Sequence, residues 1–174
     1  KNSPYMMPDT HLDELLNEPN IALVKDSSAM PAHRDLFLNV RKRRPELILL
    51  DGDEFDCANY MAAGFDGLLL GGGIFNAGLA HRIIRAVKAG DKAEADRLQA
   101  RMNDLMLRVY GGPKIECWMS GLKELLVQMK IFSTRNNLLG YPLTDSCLKQ
   151  ITEALSGADG LGFRADLLEP AHHA

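Results

Sequence analysis

A chain of 174 residues, 46% hydrophobic and 25% charged, is long enough to enclose one core and too apolar to be disordered. Its formal net charge of −3 supplies no basic field for nucleic acid, and no apolar run approaches the roughly 18 residues that a membrane helix needs. Cys57, Cys117 and Cys147 form an odd set without a CxxC pair, which argues against a disulfide framework or a zinc knuckle and for a reducing, cytoplasmic setting. The chain opens on Lys1, and nothing near it has the make-up of a signal peptide.

Ile21 to Val24 is a short, continuous apolar run rich in branched residues and reads as a strand. Lys25-Asp26-Ser27-Ser28 follows as a polar turn. Pro31 then opens a helix through Arg44, with Leu36, Phe37 and Val40 on one side, because proline suits a first turn where its missing N–H had no partner. The same order recurs: Leu47 to Leu50 as strand, Asp51-Gly52-Asp53-Glu54 as turn, and Phe55 to Ala63 as a helix stopped by Gly64. In a third copy, Gly67 to Leu70 is the strand, Gly71-Gly72-Gly73 the turn, and a helix to Ala89 carries Leu79, Ile83, Ile84 and Val87 at helical spacing. Strands without polar alternation are expected to be covered on both faces, and strand-helix alternation implies a parallel sheet, so the class is α/β.

After Gly90 the pattern becomes helical. Asp91-Lys92-Ala93-Glu94 has the form of a capping box, and Leu98, Met102, Leu105, Met106 and Val109 draw a stripe along the helix it begins. Gly111-Gly112-Pro113 breaks that helix. Ile115, Met119, Leu122, Leu126 and Met129 mark the next, and a last one runs from about Thr144 to Leu155. The expected organisation is 1–90 as three βα units, 91–157 as a helical extension and 158–174 as a loosely held tail.

In parallel α/β folds the functional groups gather at the carboxyl ends of strands, where all three turns project. Lys25 admits two readings. It can snorkel its ammonium to water from a strand end, or it can be a nucleophile whose neutral amine is favoured by apolar neighbours and attacks a ketone to form an imine. The triple glycine before a helix could cradle a phosphate, although no lysine or arginine adjoins it in the sequence. Asp53 and Glu54 admit the structural reading of a helix N-cap plus charges favoured at a first turn. Arg41-Lys42-Arg43-Arg44 ends a helix, where it complements the dipole rather than binding RNA. His33 and His81 read as structural, and the His172-His173 pair is too short for a metal claim.

Val24-Lys25-Asp26-Ser27-Ser28 resembles the IKDSS or IKDTS segment of the dihydrodipicolinate synthase and N-acetylneuraminate lyase family. These are class I aldolases on a (β/α)8 barrel, whose lysine on the sixth strand forms a Schiff base with pyruvate or a related 2-keto acid. Further motifs follow in the family's order. Asp51-Gly52-Asp53 falls at its SGDD or GYDE, Gly64-Phe65-Asp66-Gly67 is similar to its GADG, Ala89-Gly90-Asp91 with Leu98-Gln99 to its AGD…LQ, and Tyr141-Pro142-Leu143-Thr144 to its PL(S/T). The resemblance covers roughly Asn2 to Leu155 and favours the nucleophile reading of Lys25.

The resemblance implies that this chain holds strands six to eight of the barrel plus the helical extension, with the N-terminal half missing or supplied by another piece. It implies Lys25 as catalytic residue, with Ser27, Gly52, Asp53, Glu54 and the backbone of Leu69 binding a 2-keto acid, without metal or organic cofactor. The family's proton-relay tyrosine should lie beside Lys1-Asn2-Ser3-Pro4, replaced by Lys1 or situated just upstream. Met6 stands where the synthase proper has an arginine for its second substrate, which points away from that reaction and toward a lyase of hydroxylated 2-keto acids. A homo-oligomer is usual in the family; a catalytically inactive half-barrel acting as a structural or ligand-sensing subunit is the competing expectation.

Overall fold

The computed structural model describes residues 7–156. The Lys1-Asn2-Ser3-Pro4 and Met6 positions, the expected tail from Ala158 and the His172-His173 pair lie outside the described residues.

In chain order the elements are α1 (Asp9–Leu16), β1 (Leu23–Asp26), α2 (Pro31–Arg43), β2 (Ile48–Asp51), α3 (Cys57–Ala63), β3 (Gly67–Leu68), α4 (Gly73–Lys88), α5 (Lys92–Tyr110), α6 (Trp118–Gln128) and α7 (Asp145–Ser156). They divide between two compact units, one formed by residues up to Gly73 with Arg82–Gln99, the other by Ile74–His81 with residues from Ala100 on. The fold class is α/β as expected: the three strands form one parallel sheet in the order β1-β2-β3.

In the first unit the register pairs Val24 with Leu49, Lys25 with Leu50 and Asp26 with Asp51. Side chains alternate across a strand, so Val24, Leu49, Asp26 and Asp51 share one face. Helices cover that face, and its core consists of Leu16, Phe37, Val40, Leu47, Leu49, Tyr60 and Phe65. The opposite face is open among the described residues: Leu23 is 45% exposed and Ile48 44% exposed, against 0% for Leu49. The expectation of strands covered on both faces is therefore corrected. Burial here is one-sided, and the apolar residues of the second face await a cover.

Several boundaries also differ from expectation. β1 lies two residues later than its apolar run, so that Lys25 and Asp26 belong to the strand itself. α3 begins at Cys57 rather than Phe55, because Asp56 N–H donates to Asp53 O at 3.0 Å and folds a turn ahead of the helix. Gly64 stops α3 in the left-handed region, at φ 106°, where glycine carries no steric penalty. β3 has only two residues, although the N–H of Leu69 still reaches Asp51 O at 2.7 Å. The helix α1 was not expected: Leu12 and Leu16, one turn apart, place its apolar side on the core.

The basic run at the end of α2 bolts this unit together. Arg44 is buried and donates to Leu16 O and Glu18 O, each at 2.7 Å, and to Glu46 Oε1 at 2.8 Å. Arg41 pairs with both carboxylate oxygens of Asp66 at 3.0 Å, and Asp66 in turn accepts from Leu49 N–H at 2.8 Å. Arg43 bonds to Asp13 on α1 at 2.5 Å. Internal pairing, more than a helix dipole, explains this cluster.

In the second unit α6 and α7 pack through Leu122, Leu125, Leu126, Cys147, Ile151 and Ala154. A side chain at Gly121 would collide with the carbonyl of Val109 and lie 3.2 Å from Cys147 Sγ, so glycine lets α6 approach the end of α5. Gly111 and Gly112 break α5 with φ of 80° and 87°.

Arg44 supplies two hydrogen bonds from a charged donor, one to the buried Leu16 carbonyl and one to the partly buried Glu18 carbonyl. Arg44→Ala is expected to lower the unfolding free energy by about 3 kcal/mol, measured by urea titration, with Arg44→Lys recovering only part because an ammonium lacks the planar fork. A loss within ~0.5 kcal/mol, a sixth of that figure, would remove the bolt from the account.

Candidate active site

The carboxyl ends of β1, β2 and β3 lead into three turns of the first unit, and these hold every residue singled out in the sequence. Lys25, on the open face of β1, is exposed, but its chain does not wander from the sheet. A Cβ built on Gly52 would overlap both Lys25 Cε and Ser27 Oγ and lie 3.1 Å from Asp26 O. The lysine stem therefore lies across the Gly52 backbone with Ser27 beside it, and Gly52 N–H donates to Asp26 O at 2.6 Å. The absent side chain leaves the room in which the Lys25 stem and the Ser27 hydroxyl lie. Lys25, Ser27 and Gly52 come together as expected, though in the open rather than among apolar walls.

The turn after β1 is shaped by its own side chains. Asp26 Oδ1 accepts from Ser28 N–H at 2.8 Å, and Ser28 Oγ from Met30 N–H at 3.1 Å. Ala29 takes φ 56°, a left-handed conformation unusual for a residue with a Cβ. These bonds turn the chain sharply after Lys25 and aim it into α2.

Asp53 and Glu54 part company. Asp53 is half-buried; its N–H donates to Asp51 Oδ1 at 2.7 Å and its Oδ1 accepts from Phe55 N–H at 3.3 Å. Glu54 is buried, and its Oε2 accepts from Gly72 N–H at 2.6 Å, directly ahead of α4. Its carbonyl accepts from Gln99 Nε2 at 3.1 Å, while Gln99 Oε1 accepts from Ala58 N–H at 3.0 Å. Neither carboxylate caps α3, which starts after both. The triple glycine, which the sequence already disfavoured as a phosphate cradle, is engaged internally. Glu54 already places a negative charge at that helix start, and Gly73 N–H is directed to Leu70 O. The N–H of Leu69 is likewise engaged with Asp51 O, and its side chain is 49% exposed.

Behind the open face lie residues that the sequence reading passed over. Asp26 and Asp51, paired in register, are 3% and 0% exposed. Tyr60 O–H donates to Asp26 Oδ2 at 3.0 Å. Burial pushes the Asp51 carboxyl up to about 7; the bond from Asp53 N–H opposes this, while the charges of Asp53 and Asp26 add to it. Burial beside the same carboxylates raises the Tyr60 hydroxyl and the Cys57 thiol. The available signal was the repeated aspartate at equivalent strand ends, each following four apolar or mixed residues. Among the described residues no cluster of histidine, cysteine and carboxylates has the geometry to hold a metal, and no helix is long and apolar enough to cross a membrane.

Parallel βα units with a lysine and a small-residue turn at the strands' carboxyl ends define part of a barrel of the (β/α)8 kind. The profile of the dihydrodipicolinate synthetase family matches residues 3–156, and the chain belongs to that family. Its fold is similar to dihydrodipicolinate synthase from Bacteroides thetaiotaomicron, with a TM-score of 0.76 and 22% identity over 89% of this chain and 52% of the other. N-acetylneuraminate lyase from Fusobacterium nucleatum gives 0.72 and 18% over 89% and 51%. A variant of 2-keto-3-deoxygluconate aldolase from Sulfolobus solfataricus gives 0.64 and 18% over 85% and 49%. The chain thus spans about half the length of these structures. No curated protein matches the sequence significantly.

Gly52→Ala is expected to swing the Lys25 and Ser27 side chains aside and, because Asp26 O lies 3.1 Å from the new Cβ, to destabilise the protein by about 1 kcal/mol. Gly67→Ala, where the new Cβ meets a Leu50 methyl at 3.2 Å, should cost less than half as much. Equal effects in urea titrations would contradict the packing described.

Proposed function

We propose that the chain is the lysine-bearing part of a Schiff-base lyase acting on a 2-keto acid. The observation that carries this reading is Lys25 at the carboxyl end of β1, laid over Gly52 with Ser27 at its side. Membership of the dihydrodipicolinate synthetase family supports it, as do structural neighbours that include a lyase and an aldolase. The neutral amine attacks the 2-keto carbon, water leaves, and the resulting imine accepts the electron pair released when a neighbouring carbon–carbon bond breaks. The reverse sequence forms that bond, and loss of a hydroxyl one carbon further gives dehydration. No metal or organic cofactor enters this scheme because the lysine is itself the electron sink.

In this reading Ser27, Gly52 and Asp53 line the distal part of the site, where Asp53 accepts from substrate hydroxyls, and the Leu69 backbone borders the imine. Glu54 contributes by holding the glycine turn to which it is bonded. The substrate is a hydroxylated 2-keto acid rather than the pair of substrates used by the synthase proper. The open sheet face, with Leu23, Lys25 and Ile48 on it, calls for the remaining strands of a barrel as partner, and the complete protein is a cytoplasmic homo-oligomer. The alternative reading, an inactive half-barrel that serves as a structural or ligand-sensing subunit, would leave Lys25 exposed on the open sheet face as it is here.

Reduction with borohydride in the presence of pyruvate tests the choice. The complete protein should gain a stable adduct that peptide mapping places on Lys25, and Lys25→Ala should lose the adduct and all turnover while remaining folded. Absence of an adduct from folded protein would favour the inactive subunit; turnover by Lys25→Ala would end the nucleophile role.

A further inference from the structure

Asp26 and Asp51 occupy paired positions on neighbouring parallel strands, a spacing of about 4.8 Å in the sheet, and both point to the covered face. They are 3% and 0% exposed, so water screens neither. Asp26 is well supplied with donors: Ser28 N–H on one oxygen at 2.8 Å and Tyr60 O–H on the other at 3.0 Å. Asp51 has Asp53 N–H on Oδ1 at 2.7 Å and, beyond the weak donor of the Cys57 thiol, no further donor for its buried Oδ2 among the described residues. Two buried carboxylates this close cannot both be ionised without strong repulsion, and an unpartnered carboxylate oxygen in a dry site is best relieved by a proton.

We propose that Asp26 and Asp51 share one proton, the acid form of Asp51 donating across the strand gap to the Asp26 carboxylate, and that this clip holds the turn carrying Lys25 against the turn carrying Gly52. Both residues act by position: Asp26 directly follows Lys25, and Asp51 directly precedes Gly52. The supplementary bonds run the same way, since Gly52 N–H donates to Asp26 O and Leu69 N–H to Asp51 O. The groups acting on Asp51 are Asp26 from β1, Asp53 from its own turn and Cys57 from α3; Tyr60, also on α3, faces the pair through Asp26. When the pH rises the proton leaves to water, two like charges face each other, and the two turns are pushed apart. The proposal concerns the folded turns and stands whether or not Lys25 forms an imine.

Linkage sets the sign. The folded state retains on Asp51 a proton that the unfolded chain releases above its ordinary value of 3.8, so stability falls as the pH climbs from there toward about 7 and levels off beyond it. Carbon-13 NMR of aspartate-labelled protein should show one carboxyl titrating near pH 7. That resonance should vanish in Asp51→Asn and move to higher pH in Tyr60→Phe, which takes a donor from the Asp26 anion. The melting temperature of Asp51→Asn relative to the parent should climb between pH 4 and about pH 7 and then stay level. Asp51→Leu should show the same climb displaced downward at every pH, because it cannot donate to Asp26. A spectrum in which every aspartate titrates below pH 5, in the ordinary carboxylate range, would overturn the proposal. A melting difference independent of pH would do the same.

Discussion

At position 52 the turn after β1 and the turn after β2 pass so closely that a Cβ would displace the Lys25 and Ser27 side chains and press on Asp26 O. Any Cβ there would enter the space of Lys25 Cε and Ser27 Oγ, and the Gly52 N–H would lose its short approach to Asp26 O. The parallel register brings the two strand ends level, and the missing Cβ lets the turns close on each other. From this one constraint follows the placement of the amine: the lysine stem rests on a backbone surface instead of a side chain, at the carboxyl edge of the sheet. Its exposure is a consequence of the open sheet face and not of a side chain turned away from the crevice.

Around that contact, several charged groups serve to hold backbone in place. Glu54 ties the third turn to the second through Gly72, Arg44 fastens α1 to the end of α2, and Arg41 with Asp66 joins α2 to the approach of β3. Glu54 and Asp53 both accept from backbone N–H groups, but Glu54 is buried with its donor whereas Asp53 is half-buried. The contrast matters for chemistry, because a site needs groups free to meet a substrate on a frame that does not shift. Lys25 and Ser27 stand on the open side; the buried aspartates, Tyr60 and Glu54 form the frame behind them.

Much of this was legible in the sequence. The apolar runs, the proline opening α2 and the glycine stopping α3 fixed the strand and helix order, because periodicity and backbone permissiveness are local properties. The order of short motifs singled out Lys25, Ser27 and Gly52. What escaped depended on partners distant along the chain. Helix α1 has few apolar residues, and only the core it meets explains it. The role of Glu54 depends on Gly72, eighteen residues away. The Asp26–Asp51 pair emerges only when register is known, since neither residue alone differs from an ordinary turn aspartate. The expectation of strands covered on both faces assumed a complete set of neighbours, which the described residues do not supply.

The most direct measurement is the nuclear Overhauser effect between the ε-methylene protons of Lys25 and the α-protons of Gly52 in solution. Strong cross-peaks, together with contacts from the same glycine to the Ser27 β-protons, are the predicted result. A Lys25 methylene with cross-peaks to water and its own side chain alone would contradict the packing of the two turns, and with it the placement of the amine.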